Sequence, residues 1–311
     1  MDSGMSIQRI LIRINKIKLL DGKIKDVPVF GFRNSNNKCN KNEITRIKKL
    51  CIPPVWKNVC ISNSELSHLQ ATGIDEKGRM QYIYHPMWVF LTSSTKFERM
   101  GKFSKKIGLL ENKIKKDIQT LEPIAIMFRI LQKTHIRVGN DCYAKDNNTY
   151  GLTSLEKRHV KITGCIINLS FVGKKSVAQS VNFTDPYCLQ FLKNKLKVIG
   201  NKERIFEISP SSLNLYLQNV TGGDFTCKDF RTYASNILFL KILCRFDVPT
   251  TKSETLKNLK STYDQVADKL GHSRAISKKS YVMSVLQEQY LLNPKQFSNK
   301  NPKSLFNHFT K

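Results

Sequence analysis

The chain has 311 residues, with 52 Lys and Arg against 24 Asp and Glu, a formal net charge of +28, and 40% hydrophobic residues. That length suits two domains, or one large domain with an accessory piece. No apolar run reaches the roughly 18 residues of a membrane span, and Met1 to Lys18 lacks the apolar stretch of a secretory leader, so an intracellular protein working away from membranes is expected. The charge favours a polyanion as partner, nucleic acid first. A plainer source of the lysines is an A/T-rich genome, which the many Asn, Ile and Lys residues also suggest.

The first ninety residues read as strand-rich. Val27 to Phe32 and Val59 to Ile61 are short apolar runs near turn residues, and Gln81 to Tyr84 alternates polar and bulky residues. Asn34 to Asn42 reads as an exposed polar loop. Ile52-Pro53-Pro54-Val55-Trp56 is extended, because each Pro disfavours helix in the residue before it. Near residue 90 the pattern turns helical. Leu109, Leu110, Ile114 and Ile118 predict one helix, and Met127, Ile130, Leu131, Thr134 and Val138 a second after Pro123. Ile167 to Phe171 alternates as a strand, and Gly173-Lys174 turns it, which puts Lys174 at a hairpin tip. Ser209-Pro210 starts a helix with Leu213, Leu217 and Val220 inward, and Thr226 caps one carrying Lys228 and Arg231. Leu256, Leu259, Tyr263, Val266 and Leu270 form a stripe that Gly271 ends. Ser277 is expected to cap a further helix with Tyr281, Val282 and Val285 inward, and Leu305 and Phe306 to anchor the C-terminal stretch.

Five of these residues make a chemical set: Arg137, Lys174, Arg231, His272 and Tyr281. Cutting a DNA strand without a metal adds charge to an already anionic phosphodiester. Arginine meets that charge through two donors. A lysine can protonate the leaving hydroxyl. A tyrosine nucleophile, with an ordinary pKa of about 10, needs cations around it. Each residue alone has a bland reading: a solvated arginine, a core tyrosine, a histidine capping a helix. There is no phosphate-binding loop of the G-x-x-x-x-G-K-[ST] type and no cluster of carboxylates. Eight cysteines (Cys39, Cys51, Cys60, Cys142, Cys165, Cys188, Cys227 and Cys244) include no C-x-x-C pair, which argues against structural zinc and for reduced thiols.

The local contexts of the five resemble the type IB DNA topoisomerases of the poxvirus and bacterial kind. Thr134-His135-Ile136-Arg137-Val138-Gly139 is similar to their first-arginine segment, and Tyr150-Gly151-Leu152-Thr153-Ser154-Leu155 with His159-Val160 to the block before the hairpin. Phe171 to Lys174 resembles the lysine hairpin, Lys228-Asp229-Phe230-Arg231-Thr232-Tyr233 the second-arginine helix, and Gly271-His272 with Tyr281 nine positions after His272 the nucleophile segment. Ile52 to Trp56, Gln70-Ala71-Thr72-Gly73 and Gly78 to Pro86 are similar to the family's N-terminal signatures.

The resemblance implies an α+β fold: a two-lobed clamp with a small β-rich N-terminal domain (residues 1–90) and a larger, mostly α-helical catalytic domain (91–311) that carries a small sheet and hairpin and is tyrosine recombinase-like. It implies a monomer closing on double-stranded DNA. Tyr281 would form a 3′-phosphotyrosyl link, Lys174 would protonate the leaving 5′-oxygen, Arg137 and Arg231 would clamp the nonbridging oxygens, and His272 would hydrogen-bond one of them. Supercoils would relax by strand rotation before religation, with neither ATP nor a metal and no cofactor. Arg79, Gln81, Tyr82, Tyr84, Tyr143, Lys228 and Asn236 match positions at or near the DNA, and the bland reading of Tyr82 and Tyr84 is that the pair faces the core. A large DNA virus is the expected source, with the enzyme in the virion or a cytoplasmic viral factory.

Asn140 stands where the poxvirus pattern has a basic residue, which bears on sequence preference, and Lys175, where that pattern has Asp, is a second departure. The rival reading is a tyrosine recombinase or integrase. Recombinases usually carry H-x-x-R at the second arginine, where this chain has Lys228-Asp229-Phe230-Arg231. A DNA-binding protein without catalysis is the third reading, and all five catalytic positions are filled against it.

Overall fold

The computed structural model describes residues 6–18, 24–34, 37–140, 144 and 148–310. The fold is mixed α and β, with a larger helical part and two small antiparallel sheets. Two compact units divide the chain, Met1–Lys96 and Phe97–Lys311.

The first unit is built on a six-stranded sheet in the order β3-β2-β1-β4-β5-β6. Its strands are β1 (Ile7–Lys18), β2 (Ile24–Asn34), β3 (Asn37–Lys38), β4 (Lys57–Ile61), β5 (Leu69–Ile74) and β6 (Met80–Tyr84). Helix α1 (Lys41–Lys49) enters the stretch expected to be loop. Its start is fixed by a capping box, in which the Asn40 side chain accepts from Glu43 N–H and the Glu43 carboxylate from Asn40 N–H. Of the polar residues that suggested a loop, Asn34, Asn37 and Lys38 are paired in β2 and β3, and Asn40 to Asn42 are the cap and first turn of a helix. Ile7, Ile47, Val59, Ile61 and Ala71 form the core, with Trp56 and Ile83 packed on it. Two of the signatures meet there: a Cβ on Gly73 would lie 2.8 Å from the Trp56 ring, so only glycine lets the tryptophan lie flat on β5.

In the second unit, the part of α2 (Pro86–Asp117) from Phe97 onward and α3 (Pro123–Thr134) precede a three-stranded sheet of β7 (Val160–Thr163), β8 (Ile166–Gly173) and β9 (Val177–Phe183). Then come α4 (Pro186–Val198), α5 (Pro210–Thr221), α6 (Cys227–Leu243), α7 (Lys252–Leu270), α8 (Ser284–Leu292) and α9 (Pro302–Phe309). The predicted stripes hold with exceptions. On α2, Leu109 is 48% exposed while Met100, Phe103, Ile107, Leu110 and Ile114 are buried, because the inward face runs through 103, 107, 110 and 114. Leu256 on α7 is 51% exposed. Val138 lies beyond the end of α3, which stops at Thr134 where His135 turns left-handed at φ 54°. Ser209 and Thr226 cap α5 and α6 as expected, Thr226 through a capping box with Asp229. No helix among the described residues is long and apolar enough to cross a membrane.

Around Tyr281 the structure corrects the sequence reading. Ser277 does not cap a regular helix with Tyr281 on its inner face. A single helical turn (Arg274–Ile276) runs into a π-helical turn (Ser277–Tyr281), and α8 begins only at Ser284. The wide turn is closed by Val282 N–H donating to Ser277 C=O at 2.9 Å.

Candidate active site

The Arg137 loop is set by two close backbones. Gly139 has φ +94°, a glycine conformation, and a Cβ on Gly151 would sit 2.5 Å from the Gly139 Cα and 2.8 Å from the Arg137 carbonyl oxygen. Hydrogen bonds from Leu152 N to Arg137 O (2.9 Å) and from Thr153 N to Val138 O (2.8 Å) lock the two segments together. Tyr150 N donates to Val172 O at 2.7 Å, which ties the same block to β8. The hairpin closes with Gly173 opposite Val177, leaving Lys174, Lys175 and Ser176 as its tip. Lys175 and Ser176 both have left-handed backbone, at φ 64° and 58°. Lys174 is exposed.

Arg231 reaches the site from α6. The start of that helix is held by Arg99 of α2, which makes paired hydrogen bonds to both the Asp229 and Asp224 carboxylates at 2.9–3.0 Å. Arg231 is buried, and its Nη2 donates to Leu270 C=O at 2.6 Å. That carbonyl is the last of α7, which Gly271 ends at φ +61°. A Cβ on Gly271 would collide with the buried Gln179 amide of β9, 2.0 Å away. The left-handed backbone calls for glycine, and any side chain there would also make the end of Gln179 move.

His272 and Tyr281 stack, with ring centroids 4.7 Å apart and planes 13° from parallel. The Arg231 guanidinium lies 5.3 Å from the Tyr281 ring centre. Asn236, fully buried on α6, pins the far side of the turn. Its Nδ2 donates to Tyr281 C=O (2.9 Å) and Thr232 C=O (2.8 Å), while Oδ1 accepts from Met283 N–H (2.9 Å).

Burial pushes the Tyr281 phenol up, but the positive charges of Arg231 and Arg137 outweigh it and hold the phenol below its ordinary value. Burial brings the Arg231 guanidinium down to about 10; Tyr281 opposes that shift and Arg137 adds to it, and the group stays charged at neutral pH. His272 is lowered to about 4, mainly by burial and then by Arg231 and Arg137, so it is neutral. Its Nδ1 faces Ser273 C=O at 3.2 Å and Ser277 Oγ at 3.3 Å. Among the described residues, three buried polar atoms in this cluster have no hydrogen-bond partner: Arg231 Nε, Arg231 Nη1 and His272 Nε2. The two Arg231 donors left open beside a tyrosine are the outline of an anion site.

The structure thus gathers Arg137, Arg231, His272 and Tyr281, while Lys174 stands at the hairpin tip without a side-chain bond to them. In the first unit, β6 is a sheet-edge strand. Tyr82 and Tyr84 are 51% and 42% exposed and stack on each other at 6.1 Å, so they do not face the core. Arg79 and Gln81 both donate to the Asp75 carboxylate. Lys228 is exposed on α6, Asn236 has no exposed surface, and Tyr143 lies outside the described residues.

Comparison with known proteins gives the family. Residues 91–301 match the model of the eukaryotic DNA topoisomerase I catalytic core, and residues 30–75 that of the bacterial DNA topoisomerase IB N-terminal domain. The chain is 32% identical to DNA topoisomerase 1B of Acanthamoeba polyphaga mimivirus over 295 residues, covering 88% of each chain. The chain belongs to the type IB DNA topoisomerase family. Its similarity extends to DNA topoisomerase 1 of rabbit fibroma virus, 27% identical over 91% of this chain and 90% of the relative, and to DNA topoisomerase 1B of vaccinia virus strain Copenhagen, 28% identical over 78% and 79%.

Two residues that shape this topoisomerase's site were not singled out from the sequence: Gln179 fills the space over Gly271, and Arg99 anchors the Arg231 helix. Ser277 was read only as a helix cap, and it touches His272. Asp229, inside the K-D-x-R-T-[YW] pattern, was the one available signal for Arg99. Gln179 and Gly271 are too far apart in sequence for any local pattern to join them, and the Ser277–His272 contact depends on the irregular turn between them.

Proposed function

We propose that this topoisomerase performs the reaction of its family, transient cleavage and rejoining of one strand of duplex DNA with relaxation of supercoils between, through Tyr281. Tyr281 loses its phenolic proton to solvent, and the phenolate, held by Arg231 and Arg137, attacks the scissile phosphorus and forms a 3′-phosphotyrosyl bond as the bond to the 5′-oxygen breaks. Lys174 gives that oxygen its proton. Arg231 Nε and Nη1, the Arg137 guanidinium and His272 Nε2 donate to the nonbridging oxygens. Rejoining runs in reverse: the 5′-hydroxyl returns its proton to Lys174 and displaces Tyr281. The phosphotyrosine conserves the energy of the broken bond, so ATP has no step to drive.

The observation that carries this reading is the set of three buried, unpartnered nitrogens around Tyr281, two of them Arg231 donors. A phosphate would complete all three, and fixed donors that need no reorganisation are the efficient way to stabilise its transition state. For His272 to donate from Nε2 while neutral, Nδ1 must accept. The Ser277 hydroxyl at 3.3 Å is the group able to supply that hydrogen.

Around this chemistry, residues 1–90 and 91–311 serve as the lobes of a monomeric clamp, the second with the catalytic fold shared with tyrosine recombinases. Arg79, Gln81, Tyr82 and Tyr84 meet the duplex from the edge strand β6, with Tyr143 and Lys228 contributing from the catalytic part. Asn236 serves by positioning the Tyr281 turn.

The test is relaxation of negatively supercoiled plasmid in EDTA without ATP. Relaxed topoisomers from the intact chain and none from Tyr281→Phe are expected; a folded protein that relaxes nothing overturns the reading. For Lys174, Lys174→Ala should cleave poorly on an ordinary phosphodiester and recover on a substrate with a 5′-sulfur leaving group, which needs no proton. Equal impairment on both removes the acid role.

A further inference from the structure

The inward face of the hairpin sheet is apolar along most of its length: Ile167, Leu169 and Phe171 of β8 and Phe183 of β9 are buried. One long polar side chain interrupts it. Gln179 of β9 pairs across the ladder with Phe171, so the two share a face, and it is buried as well. An amide buried on such a face gives up water that an apolar residue would not miss. Its hydrogen bonding returns little. Among the described residues, the amide's hydrogen bond runs from Nε2 to the C=O of its own neighbour, Ala178, at a long 3.4 Å.

The side chain is instead seated between two glycines. A Cβ on Gly173 would meet Gln179 Cγ at 3.0 Å, and a Cβ on Gly271 would meet Gln179 Oε1 at 2.0 Å and Nε2 at 2.5 Å. Gly173 has φ −95°, which any residue can adopt, so what glycine provides there is room for Gln179. The residue after Gly173 is Lys174, and the residue after Gly271 is His272, which stacks on Tyr281. One side chain thus touches the backbone just before the acid and, at its other end, the backbone just before the nucleophile segment. The Tyr150 N–H bond to Val172 C=O ties the same end of β8 to the Arg137 block. Lys174 itself is exposed and is followed by two left-handed residues, so its place depends on how the hairpin end below it is braced.

We infer that Gln179 is a positioning residue, a spacer that holds the hairpin end against the Gly271 turn and so sets where Lys174 stands relative to His272 and Tyr281. This rests on the reading of Lys174 as the acid. Protonation requires the lysine within hydrogen-bond reach of the 5′-oxygen as its bond to phosphorus breaks. A misplacement of about 1 Å in such a group can cost about a hundred-fold in rate. Acid and nucleophile lie on separate segments, and a spacer between those segments makes attack and protonation coincide.

The test is single-turnover cleavage of two duplexes, one with oxygen and one with sulfur at the scissile 5′ position, read as the sulfur-to-oxygen rate ratio. Gln179→Ala removes the spacer. It should slow cleavage of the oxygen duplex roughly ten- to a hundred-fold and that of the sulfur duplex much less, so the ratio rises. General damage to the site, or a loss of stability, lowers both rates alike; an unchanged ratio overturns the inference. Gln179→Val gives the same reading if the alanine variant does not fold, since a β-branched residue suits the strand yet ends short of Gly271. Gln179→Met, unbranched and of nearly the same length, refills the space between the glycines and should bring the ratio back toward that of the intact chain. A methionine variant that behaves like alanine overturns the spacer role. Lys174→Ala in the same assay separates the two readings. If it recovers on sulfur while the Gln179 variants do not, the inference about Gln179 alone fails; if it is equally impaired on both duplexes, the acid reading fails and takes this inference with it.

Discussion

At the scale of single residues, the site depends on charges that act on one phenol. Arg231 and Arg137 hold Tyr281 below its ordinary value against the opposing effect of burial. The phenolate fraction grows as pH rises through that lowered value. Single-turnover cleavage is therefore expected to climb with pH and level off below about 10, the ordinary tyrosine pKa. Arg137→Ala removes one of the two charges, so the midpoint should move to higher pH. A midpoint that stays put in the variant contradicts the assignment. A second expectation concerns the neutral His272 ring. Ser277→Ala leaves Nδ1 facing only the Ser273 carbonyl, which favours a proton on Nδ1 and turns Nε2 into an acceptor aimed at an anion. Cleavage should slow by about ten-fold, the effect of one hydrogen bond to a charged group, with DNA affinity little changed. An unaltered single-turnover rate would show that the serine does not set the tautomer.

At the scale of elements, the site is made of loops braced by close backbone contacts. Gly151 has φ −152°, a conformation open to any residue, so its need for glycine is steric. In Gly151→Ala the new methyl must displace the Gly139 backbone and the Arg137 carbonyl. That should cost about 1–3 kcal/mol of stability and reduce cleavage through a misplaced Arg137. Thermal unfolding and single-turnover cleavage check both parts; an alanine variant with ordinary stability and rate would show that the loops can part without consequence.

Much of this architecture was legible beforehand. The helix starts at Ser209 and Thr226, the end at Gly271 and the hairpin at Gly173 each rest on a local rule of capping or turn formation. Less was legible around Tyr281. Nothing local signals a π-helical turn, because its wide bond pattern is held by Asn236 from another helix. Asn236 itself was read as a residue at the DNA, since sequence gives its matching position but not its burial. Helix α1 was hidden for the opposite reason: its polar residues are those of a solvated face, and its only buried residue is Ile47.

At the scale of the whole molecule, the formal charge of +28 sets the terms of DNA binding. Each phosphate neutralised by Lys or Arg releases counterions, so log affinity should fall linearly with log salt, with a slope of about −0.9 per contact. Arg79→Gln and Lys228→Gln, measured across a salt series, should each make that slope about one unit shallower; an unchanged slope would remove that side chain from the phosphate contacts. The central claim is that all of this charge and scaffolding serves one covalent bond at Tyr281. The most direct test is to react the intact chain with a short duplex, stop the reaction with denaturant, digest it and identify the residue that carries the nucleotide by mass spectrometry. The account predicts a 3′-phosphoryl adduct on Tyr281 that is absent from Tyr281→Phe. An adduct on any other residue, or relaxation of supercoils by Tyr281→Phe, would contradict it.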